Sequence, residues 1–333
     1  TTRAHGLRYD SPHDSLQSMT ARIPQCPTIA FLAAILASGC SGNGKQAEPA
    51  NKEELPRVVV TIPPLKYFVD RIGGDRVTVE CLAPASADPE TFEPSMAQLR
   101  KASNAELMLT TGLLPFEEKV AEAISSSNPG IRITPLNGSI KLIEGTHDHG
   151  DDGHSHPHEP HGNYDPHIWT SLRNARTMAR GTYEALLAAS PADSLYFKSR
   201  LDSLDHHLDS LDMATSIRLA PTKGRTILVW HPSLSYFARD YGLHQLAIGN
   251  EHKESSITGL KERLDLARHE KPMVFFYQRE YDSRQAETVT DATGLHPVTI
   301  APLSENIEEA INKAADAIAG TADNDNNNDT TQK

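Results

Sequence analysis

Two histidines stand in distinctive segments where each could serve as a ligand for a divalent metal ion. His167 lies in the sequence DPHIW, just before a stretch with helical periodicity that begins near Leu172. His231 directly follows the run TILVW, whose apolar residues are typical of a buried strand. In an α/β lobe, the loop at the carboxyl end of a strand faces the crevice where ligands bind. One such histidine in each half of the chain predicts that two lobes share one metal ion.

A second group of histidines lies between residues 145 and 163, in a segment without apolar periodicity. Neutral imidazoles are ligands that suit Zn²⁺, Cu²⁺ and Ni²⁺. Because glycine and proline separate these imidazoles and prevent a fixed geometry, we interpret the segment as an auxiliary metal-binding loop and not as the primary site. A solubilising or pH-responsive loop is the alternative. The histidines of this loop are His147, His149, His154, His156, His158 and His161.

The composition of the chain favours a cation as its ligand. The 333 residues are enough for two domains, and an apolar content of 38% excludes wholesale disorder. Asp and Glu number 44 against 32 Lys and Arg, which gives a net charge of −12 and argues against a nucleic-acid partner. No apolar run approaches the ~18 residues of a transmembrane helix. Three cysteines cannot build a disulfide framework, so stability must come from packing.

The beginning of the chain has the pattern of a secretion signal. From Met19, a positively charged segment is followed by an apolar stretch over residues 27–37 and by small residues directly before Cys40. This arrangement resembles the lipobox of bacterial lipoproteins, although Ala37 stands where leucine is usual. An ordinary signal peptide with an unrelated cysteine is the alternative. We therefore predict an upstream segment and signal peptide over residues 1–39, lipidation at Cys40 and a polar tether over residues 40–55.

Strand-like and helix-like segments alternate in both halves of the chain, which predicts an α/β fold with two small parallel-sheet lobes. The N-terminal lobe is expected over residues 56–170 and the C-terminal lobe over residues 221–320. In the first lobe we expect strands at 57–62, 77–82, 107–111 and 131–136, with helices at 65–72, 95–102 and 116–125. In the second lobe we expect strands at 226–230, 245–248, 273–276 and 298–300, with helices at 257–269, 284–293 and 307–319.

The region between the lobes, residues 171–220, has two helical stretches and no strand. The second stretch opens with SPAD, which offers an N-cap serine and a proline in the first turn. A helix of about seven turns would span ~40 Å and link both lobes, with the metal site in the cleft between them. Residues 321–333 lack an apolar anchor and are expected to be disordered. The apolar stripe of the linking helix is Phe197, Leu201, Leu204, Leu208 and Leu211.

In their order and spacing, these segments resemble the zinc and manganese solute-binding proteins of bacterial ABC importers, especially the zinc members. The resemblance runs from about residue 57 to residue 320 and includes TIPPLKYFVDRIGG, PASADPETFEPSMAQL, DPHIW, HPSLSYFARDYGL and TVTDATGLHPVTIAPL. It implies a monomeric, lipid-anchored carrier of the cell envelope that captures extracytoplasmic Zn²⁺ with high affinity. The carrier would deliver this ion to a membrane permease for import. A role in cell adhesion has no separate support in the sequence.

The resemblance also implies three metal ligands. His167 matches the histidine of the family's DPH segment, and His231 matches the ligand that opens its H-x-x-x-x-Y-F segment. The family's first ligand is a histidine in D-P-H-x-x-E-P, and Glu90 stands at that position here. A carboxylate can replace the imidazole as a zinc ligand. Manganese members place an aspartate where this chain has Ala301, so the fourth position is open, filled by water or supplied by the histidine loop.

Two alternatives to a zinc carrier follow from the same ligands. An oxygen-rich set with two carboxylates would suit Mn²⁺, whereas two imidazoles, one carboxylate and a histidine-rich loop suit Zn²⁺ better. Two histidines, a glutamate and an open position are also the ligand set of many zinc hydrolases. The HExxH motif that supplies a general base is absent, and Glu93 and Glu254 have no motif behind them. We therefore expect a carrier and not an enzyme.

Overall fold

The computed structural model of the protein describes residues 55–145, 164–249, 257–278 and 283–330. The predicted signal peptide, the lipidation site at Cys40, the tether up to residue 54 and the histidines from His147 to His161 lie outside the described residues. These features therefore stay predictions. Among the described residues, none of the helices combines the length and the hydrophobicity of a membrane span.

Two four-stranded parallel sheets form the centres of the two lobes, and both have the same topology. The first has the strand order β2-β1-β3-β4, with β1 (Arg57–Val60), β2 (Thr78–Cys81), β3 (Leu107–Thr110) and β4 (Arg132–Pro135). The second has the order β6-β5-β7-β8, with β5 (Thr226–Val229), β6 (His244–Ala247), β7 (Phe275–Gln278) and β8 (Pro297–Ile300). Central strands of a parallel sheet are buried on both faces, and their sequences are therefore continuous runs of apolar residues. The predicted two-lobed α/β fold is confirmed.

Helices cover the sheets and connect the lobes. In the N-terminal lobe they are α1 (Pro63–Gly73), α2 (Met96–Ala102) and α3 (Pro115–Ser127). Between the lobes lie α4 (Leu172–Ala189) and α5 (Ser194–Leu219). The C-terminal lobe has α6 (Ser235–Tyr241), α7 (Ile257–Glu270), α8 (Ser283–Thr293) and α9 (Ile307–Thr330). Local signals explain several boundaries, because Ser95 forms a capping box on α2 and prolines occupy the first turn of α1.

The predicted linking helix is present as α5 and packs against elements of both lobes. It contacts α1 and α4 on the side of the first lobe and α9 on the side of the second. Phe197, Leu201, Leu204 and Leu208 are buried as the apolar stripe predicts, whereas Leu211 is half-buried. These residues belong to one apolar core that contains side chains from both sheets. The two lobes therefore share a continuous core along this helix.

A polar cluster on α9 strengthens the connection between the lobes. Glu308 accepts hydrogen bonds from the hydroxyl of Tyr67 and, at 3.0 Å, from the guanidinium of Arg71, both on α1. Its other oxygen lies 2.7 Å from Nε2 of His207 on α5. Burial alone would raise the pKa of Glu308, but the hydrogen bonds with His207 and Tyr67 hold it below its ordinary value. An ionised carboxylate thus joins three helices that belong to different parts of the fold.

The structure differs from the sequence expectations at two helices. The seven-residue α6 was not predicted; it buries Tyr236 and Phe237 and ends at Gly242, whose left-handed φ of 70° is typical of a helix C-terminus. Helix α9 extends over Ile307–Thr330 and is longer than the helix predicted at 307–319.

The buried side chain of Glu117 organises the loops at the carboxyl ends of β1 and β3. Its two oxygens accept hydrogen bonds from the hydroxyl of Thr61 and from both the amide and the hydroxyl of Thr111. The backbone amides of Gly112, Leu113 and Leu114 also donate to it, at 2.8, 3.2 and 3.3 Å. Removing this acceptor would leave several buried donors without a partner.

We expect the Glu117→Ala substitution to lower the free energy of unfolding by about 3–4 kcal/mol, because unsatisfied buried donors carry their full desolvation cost. The neighbouring exposed Glu118 is a matched control, and Glu118→Ala is expected to change stability by less than about 0.5 kcal/mol. Urea unfolding of both variants measures the difference. Equal midpoints for the two variants would contradict the role of Glu117.

Candidate metal centre

Three side chains predicted as ligands converge in the cleft between the lobes. Nε2 of His167 lies 3.1 Å from Nε2 of His231, and Oε1 of Glu90 lies 3.6 Å from the first nitrogen and 3.4 Å from the second. All three residues are buried. Among the described residues, they form the one group of acidic, histidine and cysteine side chains whose geometry could hold a metal ion.

Each of the three side chains is positioned by a different part of the fold. Glu90 lies in the loop between β2 and α2, where its backbone amide donates to Oδ1 of Asp88 at 3.0 Å. His167 begins the short 3-10 turn that leads into α4. His231 lies two residues beyond the end of β5, and its carbonyl oxygen accepts a 2.7 Å hydrogen bond from the amide of Ser233. The loop after β2, the segment that leads into α4 and the loop after β5 thus each contribute one donor.

Asp165 fixes the orientation of His167. Its Oδ1 accepts hydrogen bonds from the backbone amide of His167 at 2.8 Å and from the ring Nδ1 at 2.9 Å. Burial alone would raise the pKa of Asp165, but its contacts with His167 and Ser235 hold it below its ordinary value. When the carboxylate accepts a hydrogen bond from the protonated Nδ1, Nε2 of the neutral ring carries the free lone pair, and this nitrogen faces the cleft. This is the tautomer that a metal ligand requires.

The spacing of the three donor atoms fits one face of a zinc tetrahedron. Zinc–ligand bonds of ~2.0–2.1 Å at tetrahedral angles place neighbouring ligand atoms about 3.3 Å apart. The observed separations are 3.1, 3.4 and 3.6 Å. A buried carboxylate between two imidazoles is also costly unless a cation neutralises it. The cluster is therefore suited to bind a divalent cation with little rearrangement.

Hydrogen bonds between the lobes enclose the cluster. Trp169, whose ring centroid lies 5.2 Å from that of His167, donates its indole N–H to the carbonyl oxygen of Pro302 at 2.9 Å. The hydroxyl of Tyr236 on α6 donates to the carbonyl oxygen of Asp165 at 2.8 Å. Trp169 and Asp165 belong to the segment that leads into α4, whereas Pro302 and Tyr236 belong to the C-terminal lobe, so these contacts hold that lobe against the segment that carries His167.

The structure corrects part of the sequence interpretation of the site. His231 lies at the carboxyl end of a strand as predicted, but His167 precedes a helix and does not follow a strand, so the two histidines are not in equivalent positions. Ala301 is exposed and has no ligand atom in its side chain. Glu93, considered above as a general base, is exposed, and Glu254 lies outside the described residues.

Two residues near the cluster were missed at the level of sequence. Asp165 was read only as part of the DPHIW segment, although an acidic residue two positions before a histidine is a signal for a partner that orients the imidazole. Gln278 ends β7 and lines the cavity beside His167 and His231. A glutamine at the end of a buried strand carries no local signal that would assign it to a site.

The fold and the site together define a metal-binding solute-binding protein. It has two α/β lobes with parallel sheets, a long helix between them and a buried His₂Glu cluster in the cleft. The chain belongs to the family of the zinc-uptake complex component A, periplasmic, whose sequence model matches residues 58–320, more than half of the chain.

Individual relatives agree with this family membership. A Treponema pallidum relative, named for metal binding, is 28% identical over 291 residues, which cover 85% of this chain and 91% of the relative. The zinc-binding lipoprotein AdcA of Streptococcus pneumoniae is 26% identical over 84% of this chain, which spans about half (55%) of its length. The crystal structure of ZnuA is similar with a TM-score of 0.72 and 28% identity, covering 81% of this chain and 100% of that one.

Proposed function

We propose that this protein captures Zn²⁺ outside the cytoplasm and delivers it to the permease of an ABC importer. The observation that carries this proposal is the convergence of Glu90, His167 and His231, whose donor atoms lie 3.1–3.6 Å apart in a buried cleft. The family membership supplies the transport role, because the matching family is a component of a zinc-uptake complex. The anchoring of the carrier through Cys40 and its action as a monomer belong to the same proposal.

The donor set supports zinc over manganese as the transported ion. Mn²⁺ prefers oxygen ligands, whereas imidazole nitrogen together with one carboxylate suits Zn²⁺. The cluster contains two imidazoles and one carboxylate, and Ala301 removes the second carboxylate that manganese members carry. The zinc-binding name of the streptococcal relative points in the same direction.

The connection between the lobes supports a mechanism with small movements. Helix α5 shares its apolar core with both lobes, and Glu308 joins α9 to α1 and α5. A wide hinge closure would have to expose part of this core and break these hydrogen bonds, which is costly. We therefore expect zinc binding to tilt the lobes only slightly. Docking on the permease would then separate the donors and release the ion.

The surroundings of the cluster support a carrier and not a hydrolase. Hydrolysis at a zinc ion requires a general base beside the bound water. The candidate bases in the described part of the chain are not available for this role. Glu90 is needed as a ligand, Asp165 accepts a hydrogen bond from Nδ1 of His167, and Glu93 is exposed. Within the described residues, the cluster thus has groups that can hold a metal ion but no general base positioned to activate a water molecule.

Metal analysis of the untagged protein, purified without added metal, tests the proposal. We expect about one tightly bound zinc ion per chain, and zinc should displace manganese in an equimolar competition. A protein that retains manganese in preference to zinc would overturn the choice of metal. A protein that binds neither ion stoichiometrically would overturn the carrier function itself.

Deleting the histidine loop is expected to leave one tight zinc site and to remove additional weak sites. Glu144 and Tyr164 form an antiparallel bridge, and the amide of Asp165 donates to the carbonyl oxygen of Ile143 at 2.9 Å, so the two ends of the loop already lie side by side. A deletion of residues 145–162 can therefore be closed without displacing His167. Because the cluster and the loop are then independent, the tight affinity should change by less than about threefold.

Titration calorimetry with Zn²⁺ compares the deletion variant with the full chain. The expected result is the loss of the weak binding phase alone. Complete loss of the tight site would show that a histidine of the loop supplies the fourth ligand and would contradict the independence of the loop.

A further inference from the structure

A small cavity adjoins the three-residue cluster of Glu90, His167 and His231. It has a volume of about 30 Å³ and is lined by His167, His231, Trp169, Pro302 and Gln278, among others. A space of this size accommodates one water-sized ligand, given that a single water needs ~10–15 Å³ by this measure. The cavity borders both histidines of the cluster, so a ligand within it would lie beside an ion bound to them.

Gln278 is placed in this cavity by the sheet of the C-terminal lobe. It is the last residue of β7, which pairs in parallel with β5, the strand that leads to His231. The residue is only 8% exposed. Its Nε2 donates to Oγ of Ser233 at 3.2 Å, and the amide of Ser233 donates to the carbonyl oxygen of His231 at 2.7 Å. Gln278 is therefore tied to the turn that carries a predicted ligand.

The side-chain amide of Gln278 uses its nitrogen in a hydrogen bond to Ser233, whereas its oxygen accepts none within the described residues. The hydroxyl of Ser233 faces the carbonyl oxygen of His231 as a donor, at 3.5 Å, so its oxygen is the acceptor for Nε2 of Gln278. Within the part of the chain that the structure describes, Oε1 of Gln278 is buried and accepts no hydrogen bond. A buried acceptor without a donor costs ~1–3 kcal/mol. A ligand that brings a donor into the cavity would recover this free energy.

We propose that Gln278 accepts a hydrogen bond from a water molecule that completes the coordination of the bound zinc ion, and this inference rests on the proposed zinc-binding function. Zinc with three protein ligands takes water as its fourth ligand. Among the described residues, the cluster offers three ligands and no fourth. An amide oxygen accepts a hydrogen bond from the bound water but does not take its proton. Gln278 would thus hold the water as a ligand without activating it, as a carrier requires.

Replacement of Gln278 by leucine tests this role, because leucine is similar in size and has no acceptor. We expect Gln278→Leu to weaken zinc binding by ~10–100-fold, the usual effect of losing a residue that orients a ligand. Gln278→Glu keeps an acceptor oxygen and should restore most of the affinity. Gln245 is a matched control, since it bonds to Leu234 and Ser235 of the same turn but does not line the cavity.

The Co²⁺-loaded protein supplies a readout that a merely structural role would not change. We expect thiocyanate to displace the bound water and shift the visible spectrum of the native Co²⁺ protein, and Gln278→Leu to alter the spectrum before thiocyanate is added. The Gln245→Leu variant should keep the native spectrum and a zinc affinity within about threefold of native.

Three results would overturn the assignment of Gln278. They are native zinc affinity in Gln278→Leu, the same spectrum in this variant as in the native protein, or no response of the native Co²⁺ protein to saturating thiocyanate. The last of these needs no substitution and remains decisive if the leucine variant does not fold. Failure of the proposed function has a different signature, since zinc binding by the native protein would then be absent or insensitive to His167→Ala and His231→Ala.

Discussion

Zinc binding by the His167→Ala and His231→Ala variants is expected to be at least ~100-fold weaker than binding by the native protein, since each substitution removes a direct ligand. The Nε2 atoms of the two imidazoles lie 3.1 Å apart in a buried cluster that contains only Glu90 besides them, so no further side chain among the described residues is placed to replace either one. Competition against a chromophoric chelator of known zinc affinity measures the effect.

The size of the loss in zinc affinity distinguishes direct ligands from the residues that orient them. Asp165→Asn should cost ~10–100-fold, because the amide cannot hold the Nδ1 proton of His167 as the carboxylate does. Glu90→Ala should cost less than either histidine substitution but remain measurable. His244, exposed on β6, is the matched control, and His244→Ala should leave the affinity within about threefold of native. Native zinc affinity in both the His167 and His231 variants would remove the cleft as the binding site.

The lobes could be predicted from sequence because buried parallel strands leave a strong local pattern. Runs such as RVVV and TILV are continuous and apolar, and each is bounded by residues that end a strand. Helix α5 was equally visible, since its stripe extends over many residues. Helix α6 was not visible because seven residues make fewer than two turns, which is too short for a periodic pattern.

The candidate site was only partly predictable, because its members come from distant segments. His167 and His231 stand beside recognisable segments, and Glu90 occupies the position of a histidine in similar proteins. Oε1 of Glu90 nevertheless meets both imidazoles only through the packing of the two lobes. The place of Gln278 depends on the pairing of β7 with β5, which a single sequence does not specify. Sequence thus indicated the donors, whereas the cavity beside them required the fold.

The affinity for zinc is expected to fall steeply between pH 7.5 and pH 5.5, because protons and zinc compete for the same imidazole nitrogens. Asp165 accepts a hydrogen bond from Nδ1 of His167, so this ring offers Nε2 to the ion, and the Nε2 atoms of the two rings lie 3.1 Å apart. Zinc must displace one proton from each ring that carries the imidazolium form in the zinc-free protein. The affinity should therefore fall about tenfold per pH unit while one proton is displaced and approach a hundredfold when two are.

Asp165 itself should not contribute to this slope. Its pKa lies below the ordinary value of an aspartate, so its carboxylate stays ionised throughout the window and continues to orient His167. The measurement is a zinc competition titration at pH 7.5, 6.5 and 5.5, with a chelator whose own affinity is known at each pH and with circular dichroism to confirm that the protein remains folded. The His231→Ala variant should show a shallower slope, because only one imidazole then competes with protons. An affinity that stays constant over this range, or an unchanged slope in His231→Ala, would mean that zinc is held by groups other than these two histidines.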